Sequence, residues 1–237
     1  MKVITYSSNK GGVGKSSIAL NVAGYIGLKD KVLFIGLDGQ KNSSSVLKKD
    51  KIENTIYDVL TSAVPIHSAI YPSKFKNVFY IPESRKLDNT KIGNLIIKKL
   101  LQNIYNEYDY VIIDCPPALN SLVQSAYIAS DVVCIPTQLD KFSSQNLNTV
   151  IELINSLNNK AQIYVLPSMV VSNSKLHKKV KKELESFIDN KTNVNLSYDL
   201  PHRVEISNQM ANDKLLTLTN KFNQLKTAIK KHSNEVR

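Results

Sequence analysis

Ser8-Asn9-Lys10-Gly11-Gly12-Val13-Gly14-Lys15-Ser16-Ser17 follows a short β-branched run at 2–7 and leads into the apolar-periodic Ile18-Ala19-Leu20-Asn21-Val22-Ala23. A strand, a glycine-rich turn and a helix opening at Lys15 make the context that a phosphate-binding loop requires. Glycines let successive backbone N–H groups turn inward on an anion, and without Cβ atoms the loop can approach phosphates closely. The helix N-terminus adds unpaired donors and a partial positive charge. In such a loop Lys15 reaches the β- and γ-phosphates and the Ser16 hydroxyl takes a place on Mg²⁺. The nucleotide-binding set is therefore expected at Gly11, Gly12, Val13, Gly14, Lys15, Ser16 and Ser17. The strict pattern G-x-x-x-x-G-K-[ST] fails at one point, because its first glycine would fall at Asn9. A second lysine, Lys10, stands just before the double glycine instead.

Outward from this loop, short apolar runs alternate with segments of helical period, which predicts a doubly wound, mostly parallel α/β sheet with helices on both faces. Strands are expected near 2–7, 31–37, 77–81, 110–114, 131–136, 161–170 and 194–198. Helices are expected near 15–28, 54–61, 91–106, 119–129, 143–157, 176–189 and 213–231. Within 91–106, Ile92, Leu95, Ile96, Leu100 and Ile104 recur at spacings of three and four, the signature of one buried stripe. No internal repeat or linker-like composition appears, so residues 1–237 are expected to form a single domain.

Composition agrees with a folded chain. Of 237 residues 42% are hydrophobic, with only 8 Gly and 8 Pro, which excludes disordered and collagen-like classes. No run approaches the roughly 18 apolar residues a membrane span needs, and the N-terminus has no signal-peptide core, so a cytoplasmic location is expected. Cys115 and Cys134 lie in apolar runs at a spacing that matches no zinc or redox motif, and are expected to be core thiols. Net charge is +11, which favours polyanionic partners through long-range attraction. The excess is uneven: residues 1–140 carry 16 Lys and Arg against 12 Asp and Glu, residues 141–237 carry 15 against 8.

The loop at 10–16 resembles the deviant Walker A motif of the ParA/MinD family of P-loop ATPases, whose signature K-G-G-x-G-K-[ST] it matches at all seven positions. Further matches follow. The strand ending in Asp38-Gly39-Gln40 is similar to the family's D-x-D-P-Q, with Gly36 and Gly39 in place of its first aspartate and its proline. The stretch Tyr108–Pro117 resembles the Walker B strand, ending at Asp114, and its switch loop. Ser130–Gln138 matches the next strand, and Leu200-Pro201-His202-Arg203-Val204 resembles a late I-P-R segment whose backbone, at Pro201, lies beside the adenine. The family often places an adenine-contacting asparagine after the strand, and no single residue of Leu166–Ser174 is assigned to it here. The resemblance implies ATP and Mg²⁺, held by Ser16, Asp38 and Asp114, and a catalytic set of Lys10, Lys15 and Asp38. Asp38 would orient the attacking water, and Lys10 would act in trans across an ATP-sandwiched homodimer.

Three outputs are weighed. A ParA-type partition ATPase would coat DNA without sequence preference, associate with the nucleoid, and be released when a ParB-like centromere-binding adaptor stimulates hydrolysis. Candidate phosphate contacts are Lys175, Lys178, Lys179 and Lys182 on the open face of a helix whose core stripe is Leu176, Val180, Leu184, Phe187 and Ile188, together with Arg203. Lys226, Lys230 and Lys231 at the end of the last helix are weaker candidates, since basic residues there also complement the helix dipole. A MinD-like membrane regulator needs an apolar terminal face, whereas Leu215, Leu216, Leu218, Phe222, Leu225 and Ile229 read as core packing, so no membrane partner is expected. Among related enzymes, cluster carriers lack a C-x-x-C pair here and tyrosine kinases a terminal tyrosine cluster, while a biosynthetic ligase stays open. The first strand begins at Lys2, so no N-terminal helix-turn-helix domain is expected, as in the short, type Ib, plasmid ParA proteins.

Overall fold

The computed structural model describes residues 1–40, 42–48, 51–89, 92–141, 143–202, 205–219 and 224–237. Among them, eight strands form one sheet: β1 (Lys2–Tyr6), β2 (Val32–Gly36), β3 (Tyr71–Pro72), β4 (Val78–Ile81), β5 (Tyr110–Asp114), β6 (Val132–Gln138), β7 (Gln162–Ser168) and β8 (Val194–Leu196). Their order is β3-β4-β2-β5-β1-β6-β7-β8, parallel throughout except for the short edge strand β3. The helices are α1 (Lys15–Ile26), α2 (Asn42–Leu47), α3 (Ile56–Leu60), α4 (Ile96–Gln102), α5 (Ser121–Ala129), α6 (Ser143–Leu157), α7 (Lys175–Ile188), α8 (Glu205–Ala211) and α9 (Gln224–Val236). Strands β2, β4 and β5 lie on one side of β1 and β6 to β8 on the other. A crevice therefore opens beyond the carboxyl ends of the central strands, where the strand order reverses. Register brings Tyr6, Asp114 and Gly36 side by side at that edge.

Alternation along each strand feeds two cores, one on each face. Val3, Val111, Ile113 and Val133 pack under Ile97, Val123, Ile151 and Leu184, whereas Ile4, Tyr6, Ile112 and Cys134 pack under Ile18, Val22, Leu225 and Ile229. With both faces covered, the strands read as continuous apolar runs. Truncating a fully buried member such as Ile112 to alanine costs about 2–5 kcal/mol. Cys115 and Cys134 are free and buried, as the sequence suggests.

The sequence reading departs from the structure in the helices. The expected helix at 213–231 is broken into a 3-10 turn at Leu216–Leu218 and α9, which begins at Gln224. The cause lies far away in the chain: Asn21 on α1 accepts the Thr217 N–H at 3.0 Å, and the Thr217 hydroxyl donates to the Asn21 carbonyl at 2.9 Å. Phe222 lies outside the described residues. The helix expected at 91–106 is confined to Ile96–Gln102, so Leu95 becomes its exposed N-cap and the buried side chains are Ile97, Leu101 and Ile104. Leu176 is exposed at the start of α7, while Val180, Leu184 and Ile188 are buried. Helices α2 and α8 and strand β3 carry too few residues for a periodic signal.

Candidate functional site

The loop after β1 takes the shape its glycines permit. Gly12 has φ 73° and Gly14 φ 91°, left-handed conformations that a Cβ would strain. Gly14 caps α1 with no side-chain hydrogen bond, so the first amides of α1 have no side-chain acceptor. Lys15 is buried and its Nζ lies 3.4 Å from the Lys10 carbonyl, folded back over the loop. Lys10 points the other way, with Nζ 2.5 Å from Asp140 Oδ2, and the two side chains are 44% and 38% exposed. Asp140 belongs to the turn after β6.

Carboxylates gather on the opposite wall. Asp38, half-buried after β2, accepts the Gln40 N–H at 3.1 Å on Oδ1. Asp114 ends β5, fully buried; its Oδ2 accepts the Ser43 hydroxyl at 3.0 Å and its Oδ1 has no hydrogen-bond partner. Burial pushes the Asp114 carboxyl up to about 7, against the opposing pull of the Ser16 and Ser43 hydroxyls and of Lys15, while Asp38 raises it further. Ser16 is thus near enough to favour the charged form without closing a hydrogen bond to Oδ1. A buried, orphaned carboxylate oxygen beside the loop serine is a donor set that fits Mg²⁺, a hard cation that keeps several of its ligands from water and phosphate.

The loop and Asp38 line a cleft of roughly 870 Å³ that runs from the loop to the carboxyl end of β7. Its other end is built by Ser168, the last residue of β7, and Met169 after it, by Leu200 and Pro201, and by Ile206 and Met210 of α8. Pro201 lines the cleft, held by a parallel bridge to Val170. Met169, by contrast, has φ 55°, a costly conformation for a long side chain, and the Ser168 hydroxyl is buried without a partner. Neither has a local sequence signal beyond its place at a strand end. Asp38, Lys15, Ser16, Ser17 and Gly11 to Gly14 thus meet in one cleft, with Asp114 buried behind it against Ser43 and Lys10 lining a small neighbouring pocket that shares Val13.

The lysines of α7 lie apart. Ser174 caps the helix by accepting the His177 N–H at 3.2 Å, and Lys175, Lys178, Lys179 and Lys182 are all exposed. Lys179 reaches Glu183 at 3.9 Å, and Lys181 pairs with Asp199 at 2.7 Å. A groove lined by His177, Lys178 and Lys181 joins the cleft through Pro201 and His202. Arg203 lies outside the described residues. Lys226, Lys230 and Lys231 are not at the C-terminal end of the last helix: α9 runs on to Val236, so Lys226 falls in its first turn and Lys230 and Lys231 mid-helix, over the rings of Tyr25 and Tyr198.

The fold and its loop define a P-loop NTPase of the deviant Walker A type. A family model described as AAA domain matches residues 1–165. The chain is 31% identical over 234 residues to the sporulation initiation inhibitor protein Soj of Bacillus subtilis, covering 92% of this chain and 90% of that protein. It is 30% identical to the chromosome-partitioning ATPase Soj of Treponema pallidum, over 87% of this chain and 89% of that one. A crystal structure of a putative plasmid partition protein from Borrelia burgdorferi bound to AMPPNP superposes with TM-score 0.82 at 27% identity, covering 99% of this chain and 96% of the other. The chain belongs to the ParA/Soj family of AAA-domain proteins.

Proposed function

We propose that the protein is a ParA-type partition ATPase. Mg²⁺ and ATP occupy the cleft, with the phosphates on the loop at 10–17 and the base between Met169, Pro201 and Met210. Ser16 and Asp114 would hold Mg²⁺, with Asp38 nearby, and the ion would supply charge neutralisation at the phosphates. Lys15 unfolds from the Lys10 carbonyl to reach the β- and γ-phosphates. Asp38 orients the attacking water, and Lys10 crosses to the nucleotide of a second copy, so that dimerisation reports the bound nucleotide.

The dimer binds DNA of the nucleoid through lysines of α7, without sequence preference, and hydrolysis stimulated by a ParB-like adaptor releases it. The observation that carries this output is the exposed lysine face of α7 beside a groove that opens into the nucleotide cleft. Phosphate contacts of this kind release counterions and weaken steeply with salt. The membrane-bound alternative needs an exposed apolar terminal face, and the apolar side chains of α9 are spent against α1: Leu225, Ile229 and Val236 are buried. A mobility-shift assay with ADP, ATP and a slowly hydrolysed analogue at two salt concentrations tests the reading. Binding with triphosphate alone, lost at high salt, supports it; binding equal in all nucleotide states, or to anionic liposomes in place of DNA, overturns it.

A further inference from the structure

Gly36 is the position at which the D-x-D-P-Q pattern has its first aspartate, and the space beside it is filled. A Cβ built on Gly36 would lie 2.7 Å from Glu83 Oε2 and 3.2 Å from Glu83 Cδ. The carboxyl carbon of an aspartate at 36, one bond further out, would therefore compete for the place that the Glu83 carboxyl group holds. Glu83 arrives from a different strand, two residues past the end of β4, and is only 3% exposed. Its Oε1 accepts the backbone N–H groups of Ser43 at 3.1 Å and Ser44 at 3.0 Å, and its Oε2 accepts the Ser44 hydroxyl. The chain of contacts continues: the Ser43 hydroxyl donates to Asp114 Oδ2 at 3.0 Å.

We propose that Glu83 is a positioning residue for the ATPase site, supplying from β4 the carboxylate that the family pattern supplies from β2 at position 36. By holding the first turn of α2 it fixes Ser43 on Asp114 and anchors the segment that carries Asp38 and Gln40 into the cleft. A buried carboxylate that satisfies three donors is costly to leave out and costly to duplicate. Glycine at 36 and glutamate at 83 are thus one device, and either exchange alone breaks it. The inference rests on the ATPase reading above.

The test is a four-member set: wild type, Glu83→Ala, Gly36→Asp, and the double variant Gly36→Asp/Glu83→Ala. Two readouts are taken, amide hydrogen exchange over residues 42–47 and steady-state ATP hydrolysis. Loss of Glu83 should speed exchange at Ser43 and Ser44 and lower kcat by about tenfold or more, since small misplacements of reacting groups are expensive, with KM for ATP changed less. Gly36→Asp alone should do the same by collision and like-charge repulsion. The double variant should regain slow exchange and most of kcat. If it behaves no better than Gly36→Asp alone, the two positions do not share a carboxylate seat and the inference falls. That comparison stands even if Glu83→Ala does not fold. A wild type without ATPase activity would sink the functional reading, while the exchange pattern would still decide on the shared seat.

Discussion

Asp140→Asn removes the carboxylate that holds Lys10 Nζ at 2.5 Å while keeping the shape of the turn after β6. In the proposed dimer Lys10 must leave this partner before it can reach a phosphate on the second copy, so the pair opposes assembly. Both side chains are more than a third exposed, hence screened, and the pair is worth about 0.2–1 kcal/mol. Two protomers each give one up, which doubles the cost. At about 1.4 kcal/mol per factor of ten, Asp140→Asn should tighten the ATP-bound dimer by about 2- to 30-fold. Sedimentation velocity over a protein dilution series with a slowly hydrolysed ATP analogue measures this shift, and the same series with ADP should show no change. The gap between variant and wild type should narrow in high salt, which already screens the pair. A dimer that is unchanged or looser in the variant would refute the reasoning, because it would mean that Asp140 does not restrain Lys10 or that the pair survives assembly.

Other outcomes follow from the same geometry. Asp38→Ala should leave ATP binding, followed by a fluorescent analogue, near that of wild type while slowing hydrolysis by about a hundredfold or more; equal loss of both would assign Asp38 to binding alone. Replacing Lys178 and Lys182 together by glutamate should lower DNA affinity at all sequences and reduce the slope of log K against log salt by about two. An unaltered slope would move the DNA surface elsewhere. His232 is buried between Tyr6 and Ser197, hydrogen-bonded to both at 3.0 and 2.9 Å, with Glu235 beside it. Burial lowers its pKa from 6.5, with Glu235 pulling the other way. The unfolded chain therefore takes up the proton first: this part of the stability is complete above about pH 6.5 and is lost as pH falls toward the lowered folded value. Urea midpoints at pH 7.5 and 5.5 should differ less in His232→Gln than in wild type, and an identical pH difference would exclude His232 as its source.

The parts of the fold written locally could be read locally. The glycine loop, the apolar strands and the lysine face of α7 each announce themselves by a short spacing rule, and the expected strands fall within a few residues of the observed ones. What escaped depends on distant partners. Asn21 breaks the terminal helix at Thr217, 196 positions away, a contact that no window of periodicity contains. The cleft wall made by Met169, Ile206 and Met210 consists of ordinary apolar side chains, distinguished only by where β7 and α8 deliver them. Glu83 was the most legible of the missed residues, since a lone acid just past an apolar strand at the phosphate end of a parallel sheet invites a question about its partner. Its answer still required the missing side chain at Gly36, on another strand.

Both native thiols are sealed in the sheet, and burial raises the pKa of each, so neither offers a thiolate to an alkylating reagent in the folded state. A dye attached through Tyr105→Cys, at a position 56% exposed, would then mark one site without removal of either native cysteine. Cys115 directly follows Asp114, and Cys134 pairs with Tyr6 at the launch point of the phosphate loop. The rate at which a maleimide consumes these two sulfurs becomes a clock for opening of the central strands, and its slowing on addition of nucleotide would report how firmly the occupied cleft clamps the sheet beneath it.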